Sequence, residues 1–419
     1  MENYVLRTTY LNKLKDFKEK KLIKVITGVR RCGKSVLMEQ FQQELKKNGV
    51  KETQIISLNL EKLENEELLD YKKLHEYINN KLSVNNWTYV FLDEIQMVEN
   101  FQRAVDSLQT KLKIDIYITG SNSHLLSGEL ATLLTGRYIQ IHLLPLSFNE
   151  YVTAKKAIIE RKEGDSYSQA YKQEFLDYLR FGAFPQLLEL NSQNMRNNYL
   201  DSIYNTVVIK DILSRGKVQI GLLTSIAKYV FHNIGNEISS VNIANTLKAN
   251  KRTVSYNTVE RYLKCLKDSF IIYEALRYDI KGKQHFKSNS KYYVVDVGLR
   301  NMMLANKEID IGHLLENVVY LELLRRDYKV NVGKVDLRKD NKLITKEVDF
   351  VAENERGIEY YQVAASILDA KTRERELESL NMINDHFPKY LITLDDYSIN
   401  TTYNGIRVIN AIDFFLGNY

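Results

Sequence analysis

The sequence predicts an α/β fold in its first third, followed by a helical segment, a three-helix module with a β-hairpin, and a second α/β domain. Three observations predict it. Short apolar runs alternate with helix-patterned segments from about residue 21 to 147; three helical patterns from about 218 end in a pair of strands; helix and strand patterns then alternate to the end of the chain. At 419 residues the chain is too long for one ordinary core, so several domains are expected. Their expected bounds are 1–147, 148–217, 218–300 and 301–419.

Each element follows from its pattern. KLIKVITG, QIISLNL, TYVFLDEI, IDIYITGS and RYIQIHLLPL are apolar without alternation, as strands of a parallel sheet covered on both faces are. Leu37, Phe41 and Leu45 recur at i, i+4, i+8, as on one face of a helix between the first two strands. SFNEYVTAKKAIIERKEG and YKQEFLDYLRFG are helical and polar-rich, a helical lid or linker. GLLTSIAKYVFHNIG, SSVNIANTLKAN and SYNTVERYLKCLKDSF are three helices, and FIIYEALRYDIKGKQHFKSNSKYYVVD is two strands around a basic turn. That is the layout of a winged helix-turn-helix. A helix (HLLENVVYLELLRRDY), strands YKVNVGKVDL, TKEVDFVAEN and IEYYQVAAS, a charged helix, and strands KYLITLD and GIRVIN complete the last domain.

Composition narrows the class. Hydrophobic content of 44% and charged content of 27% describe a globular chain, with no stretch near the ~20 apolar residues of a membrane span. MENYVLRTTYLNKLKDFKEKK lacks an apolar h-region, so no secretory signal is expected. The two cysteines, Cys32 and Cys265, make no CxxC and argue against a disulfide framework or a zinc site. A cytoplasmic location is expected, with no membrane partner.

GVRRCGKS, Gly28 to Ser35, fits G-x-x-x-x-G-K-[ST] between a strand and a helix. Its glycines let backbone N–H groups close on phosphate oxygens at a helix N-terminus, where the dipole favours an anion. Gly28, Val29, Arg30, Arg31, Cys32, Gly33, Lys34, Ser35 and Val36 are therefore the candidate nucleotide contacts. Lys34 suits the β- and γ-phosphates, and Ser35 suits Mg²⁺. YVFLDEI ends a strand in Asp93, suited to the Mg²⁺ shell, and Glu94, suited to polarising the attacking water. IYITGSNS ends another in Thr119, Ser121 and Asn122, which either sense the γ-phosphate or cap the next helix. Arg137 fits an arginine finger or a salt-bridged strand-edge residue equally well.

GVRRCGKS, FLDEIQ, ITGSNS, GRY and LPLSFNEY, in this order, resemble the prokaryotic, archaeal-like AAA-type P-loop ATPases that carry a C-terminal domain of unknown function. FGAFPQLL and YNTVVIKDIL are similar to that family's lid region, so the resemblance spans essentially the whole chain. It implies ATP and Mg²⁺ as cofactors, ATP hydrolysis with Glu94, Lys34, Asn122 and Arg137 as the catalytic candidates, and metal contact through Ser35 and Asp93.

Charge concentrates in the middle. Between Lys248 and Lys291, eleven lysines and arginines face four acids, an excess of seven in a chain whose net charge is +6. Such concentration is expected of a phosphate-backbone binder. With Asn257 as the expected N-cap of the recognition helix and Glu260 three residues on, Asn257, Thr258, Arg261, Tyr262 and Lys264 would face nucleic acid. Lys281, Lys283 and Lys287 would do so from the wing. Double-stranded DNA is the expected partner; a protein-binding or ATPase-regulatory winged helix, and a DNA-binding regulator that uses ATP only as a switch, are the other readings. A trans-acting Arg137 would require an oligomer.

The C-terminal domain resembles PD-(D/E)XK nucleases, in which one strand supplies Asp, the next supplies (D/E)-x-Lys, and a helix often adds Glu. Asp349 in KEVDFV and Glu316 in LLENVVYLEL match, but the E-x-K position reads Gln362-Val363-Ala364. Hard Mg²⁺ favours anionic oxygens, and without the lysine nothing there stabilises the phosphorane charge. An inactive, restriction-endonuclease-like domain for docking a protein partner is expected. A metal-dependent nuclease would need a substitute lysine, for which Lys371 and Lys346 are the nearest in sequence.

Overall fold

Five mainly apolar strands form the first sheet: β1 (Ile23–Thr27), β2 (Ile55–Asn59), β3 (Thr88–Asp93), β4 (Ile114–Gly120) and β5 (Tyr138–His142). All pair in parallel, in the order β2-β3-β4-β1-β5. Every residue of β1, β3 and β4 is buried, whereas the edge strands β2 and β5 are partly exposed. Two covered faces explain the apolar runs, and the charges that interrupt two of them, Lys24 in β1 and Asp115 in β4, pair with each other in the interior. Helix Lys34–Lys47 buries Leu37, Met38, Phe41 and Leu45 on one side, so the spacing read from the sequence marks its core face. This is an α/β P-loop sheet.

The structure, a computed structural model, describes residues 5–121, 134, 136–155, 167–213, 218–282, 284–305, 310–339, 342–396 and 401–419. It divides into two compact units, Met1–Pro145 with Asp268–Phe270, and Leu146–Lys267 with Ile271–Tyr419. Among the described residues no helix is long and apolar enough to cross a membrane.

In the second unit, helix Lys172–Phe181 packs against helix Val297–Met303. Asp296 caps that helix through Leu299 N at 2.9 Å and accepts from Ala183 N at 2.6 Å. Asn301 donates to the carbonyls of Leu179 and Arg180. The residues after the 148–217 segment thus tie off its backbone.

Helices Ile220–His232, Ser240–Ala249 and Tyr256–Asp268 are followed by the hairpin β7 (Ile272–Asp279) and β8 (Gln284–Val294), with a short β6 (Glu237–Ile238) beside β8. Two details differ from the sequence reading. The last of the three helices is capped by Ser255, whose hydroxyl accepts from Thr258 N, and not by Asn257. A serine hydroxyl two positions earlier already meets the first-turn amide. Tyr262 is buried, and its hydroxyl accepts from Gln219 N at 2.8 Å, so it belongs to the core.

The hairpin does not end there. β7 pairs in parallel with β9 (Lys329–Lys339), making the hairpin part of a nine-stranded sheet, β13-β14-β12-β11-β10-β9-β7-β8-β6. Its other members are β10 (Lys342–Asn354), β11 (Gly357–Ala364), β12 (Lys389–Thr393), β13 (Thr402–Tyr403) and β14 (Ile406–Asn410). Helix Ile311–Arg325, buried along most of its length, carries Glu316 and Asn317, which bond Tyr293 and Val294 of β8.

Candidate functional site

β1 delivers the chain to Gly28, whose φ of +149° is open to glycine; a Cβ there would stand 2.2 Å from the Leu143 carbonyl oxygen. Gly33, at φ +103°, opens helix Lys34–Lys47 from the left-handed region. The helix's first amides therefore face the loop with no intrahelical acceptor. The Lys34 ammonium, buried, donates to the carbonyls of Gly28 at 3.0 Å and Val29 at 3.2 Å, so its charge is held inside the loop. Val29 and Cys32 are fully buried, and burial pushes the Cys32 thiol up, away from thiolate reactivity. Val36 is half-buried and Ser35 exposed on the helix's first turn. Arg30 stands 3.4 Å from Glu61, and Arg31 is exposed.

Residues outside the motif support the loop. The Arg7 guanidinium, 2% exposed, donates to the carbonyls of Cys32 at 3.0 Å and Leu144 at 2.7 Å. At the end of β1, Thr27 Oγ1 accepts from Gln140 Nε2 at 2.8 Å and meets His142 Nδ1 at 3.1 Å. Burial, then the nearby Lys34 charge, lowers the His142 pKa to about 4, leaving the imidazole neutral near pH 7.

The acid pair sits at the end of β3. Asp93 Oδ1 accepts from Thr119 Oγ1 at 2.6 Å and Oδ2 from Asn59 Nδ2 at 2.9 Å. The same Thr119 oxygen accepts from Glu94 N at 2.9 Å. Residues from β2, β3 and β4 are thereby locked together at the C-terminal edge of the sheet, where open α/β sheets bind ligands. Glu94 is buried in the left-handed region, φ 55° and ψ 48°, a conformation costing a side-chain-bearing residue about 1 kcal/mol or more. Gln96 Nε2 donates to its Oε2. The Asp93 carboxylate, oriented by two neutral donors, and the Ser35 hydroxyl are hard oxygen donors that fit Mg²⁺.

Thr119 and Ser121 are both fully buried, and Thr119 is spent on the acid pair. Asn122 lies outside the described residues. Arg137 is half-exposed and pairs with Asp106 at 2.5 Å. Arg7, Asn59 and Gln96 are not legible as site residues in the sequence, because a lone polar residue beside an element end carries no spacing signal.

On helix Tyr256–Asp268, Asn257, Arg261 and Lys264 are exposed at i, i+4 and i+7, opposite buried Val259, Leu263 and Leu266; Thr258 is half-buried. A groove of about 640 Å³ lies beside this stripe, lined in part by Gln219, Thr253, Ser255, Thr258 and Arg261. Lys281 donates to the Asp336 carbonyl. Lys283 and the Lys287 side chain lie outside the described residues. Part of the basic excess is consumed internally: Lys267 pairs with Glu274, Arg277 with Glu237, and Lys291 with acids of the C-terminal domain.

In that domain Asp349 Oδ2 accepts from Val363 N at 2.8 Å. Gln362 is engaged at both ends: Oε1 accepts from Asp349 N and from Ser379 Oγ, and Nε2 donates to Glu376. Lys346 pairs with Glu378, and Lys371 is exposed. The lysine that does approach Asp349 and Glu316 is Lys291, from β8. Its place in a separate strand hides it from any spacing rule.

Residues 20–152 match the AAA domain, and residues 172–310 match a domain of unknown function. An uncharacterized protein of Haemophilus influenzae is 38% identical over 414 residues, 98% of each chain. An uncharacterized protein of Methanocaldococcus jannaschii is 32% identical over 364 residues, 85% of this chain and 77% of that one. Among solved structures, the Walker-type ATPase of Pyrococcus abyssi is similar at a TM-score of 0.47 and 16% identity, covering 72% of this chain and 96% of that one.

Proposed function

We propose a function on one premise: this chain belongs to an archaeal-like family of AAA-type P-loop ATPases, shared with the Haemophilus and Methanocaldococcus proteins. It binds ATP with Mg²⁺, hydrolyses it, and couples its nucleotide state to a winged-helix module that binds double-stranded DNA. The observation that carries the enzymatic half is the Thr119 bridge, one hydroxyl that fixes both the Asp93 carboxylate and the Glu94 backbone.

The loop amides and Lys34 hold the phosphates, with Lys34 turning its ammonium from the loop carbonyls to the β- and γ-oxygens. Ser35 and Asp93 would hold Mg²⁺, which when bound draws negative charge off the phosphate oxygens. Glu94 orients and polarises the attacking water, and Gln96 fixes the direction of its carboxylate. Asn122 and Arg137 are assigned to the γ-phosphate; Arg137 must first leave Asp106, an exposed pair that costs little to break.

The nucleic-acid half is supported by the exposed Asn257–Arg261–Lys264 stripe on the third helix of the module and by the groove beside it. Thr258, Lys281, Lys283 and Lys287 would add contacts from the same helix and the wing. We read the C-terminal domain as nuclease-like and inactive, because the residue facing Asp349 is an amide tied to Ser379 and Glu376.

The test is the ATPase rate with and without duplex DNA. Duplex DNA is expected to stimulate wild type, and Arg261→Ala with Lys264→Ala should abolish the stimulation while leaving the basal rate unchanged. The salt slope of DNA binding should fall by about two, one per cation removed. Undiminished stimulation of the double variant would refute DNA contact through this helix.

A further inference from the structure

Four charged side chains from three separate elements converge in the second unit. Lys291, on β8, has a side chain only 4% exposed. Its ammonium lies 3.0 Å from Glu316 Oε1 on helix Ile311–Arg325, 2.7 Å from Glu347 Oε1 on β10, and 3.8 Å from Asp349 Oδ1 on the same strand. Tyr293, two residues along β8, donates its hydroxyl to the same Glu316 oxygen at 2.7 Å. Asp349 is held from the far side by Val363 N.

Three carboxylates aimed at one point are what a hard divalent cation binds, since Mg²⁺ and Mn²⁺ favour anionic oxygens. Here the point is taken by the chain itself. An ammonium is a compact charge with three donors, able to serve more than one carboxylate. Burial disfavours its charge, but Glu316, Asp349 and Glu347 together outweigh that and raise its pKa above the ordinary lysine value. Burial, then the Glu316 charge, also raises the Asp349 carboxyl, well above the usual carboxylate range.

We propose that Lys291 is the resident cation of the C-terminal centre: it holds the position between Glu316, Glu347 and Asp349 that a divalent ion would take, and so keeps this domain metal-free while pinning β8 to β10 and helix Ile311–Arg325. A metal entering the native centre would have to displace a buried ammonium and leave it without its counter-charges, which is costly in a low-dielectric interior. Removing the lysine has the opposite effect. Three acids whose oxygens stand 2.7–3.8 Å from the ammonium then lack a cation.

The experiment is Mn²⁺ binding to the full chain without nucleotide, read as free Mn²⁺ by electron paramagnetic resonance and as the Mn²⁺-induced shift in melting temperature. Wild type is expected to show no Asp349-dependent site and no Asp349-dependent melting shift. Lys291→Met should melt lower, gain one Mn²⁺ site bound at least about tenfold more tightly than anything in wild type, and recover stability when Mn²⁺ is added. Asp349→Asn in the same chain should remove that site, which separates it from any ion at the phosphate loop. Lys291→Gln provides a second variant of similar length should Lys291→Met not fold. Asp349-dependent Mn²⁺ binding by wild type would overturn the proposal, and the wild-type titration is sufficient by itself to reveal it. A folded Lys291 variant that gains no site would overturn it as well.

Discussion

Glu94→Gln is expected to bind ATP as tightly as wild type and to turn it over roughly 10²–10⁴-fold more slowly, the usual range for a lost general base. The substitution keeps shape and removes one charge. The amide oxygen can still accept from Gln96 Nε2, and the backbone N–H still reaches Thr119, so the left-handed turn at residue 94 persists. What disappears is the carboxylate that polarises water. Single-turnover hydrolysis beside equilibrium ATP binding separates the two effects. A Glu94→Gln protein that hydrolyses at the wild-type rate would remove Glu94 from the mechanism.

Asp93→Asn should have a comparable effect on turnover by a different route, with Mg²⁺ dependence as its signature. Both carboxylate oxygens of Asp93 are acceptors, one for Thr119 Oγ1 and one for Asn59 Nδ2. An asparagine has one oxygen and one NH₂, so it must turn a donor toward one of these two donors or force Thr119 to reverse its hydroxyl. Thr119 already accepts from Glu94 N, so reversal disturbs the neighbouring acid as well. An unmet buried hydrogen bond costs about 1–3 kcal/mol, and the anionic Mg²⁺ ligand is lost with it. The expected result is turnover lowered about 10³-fold, with Mg²⁺ no longer raising ATP affinity. ATP affinity that still rises with Mg²⁺ as in wild type would show that Asp93 lies outside the metal's reach.

The features legible in the sequence share one physical cause. A strand buried on both faces must be largely apolar or pair its charges, as Lys24 of β1 pairs with Asp115 of β4, so β1, β3 and β4 stand out, and the polar residues that end each run mark the ligand edge. Gly28 and Gly33 are legible because their backbone conformations exclude most other residues. Features that depend on long-range convergence are hidden. Arg7 reaches Leu144 across most of the first unit, and Asn59 reads as an ordinary strand-end residue until β2 pairs with β3. Lys291 adds to the basic footprint in sequence, yet it is withdrawn from the surface to meet Glu316 and Asp349. Tyr262 falls one position from the exposed stripe on its helix, and periodicity alone does not distinguish a base-contacting ring from a core ring. Charge and spacing describe a segment; only the sheet order decides which segments become neighbours.

The most direct test of the central claim is calorimetric titration of the folded wild-type chain with ATP in Mg²⁺, repeated on Lys34→Ala. One equivalent of ATP taken up by wild type, and an affinity at least about a hundredfold weaker without the Lys34 ammonium, is the predicted result. Folded wild type that takes up no ATP would contradict it.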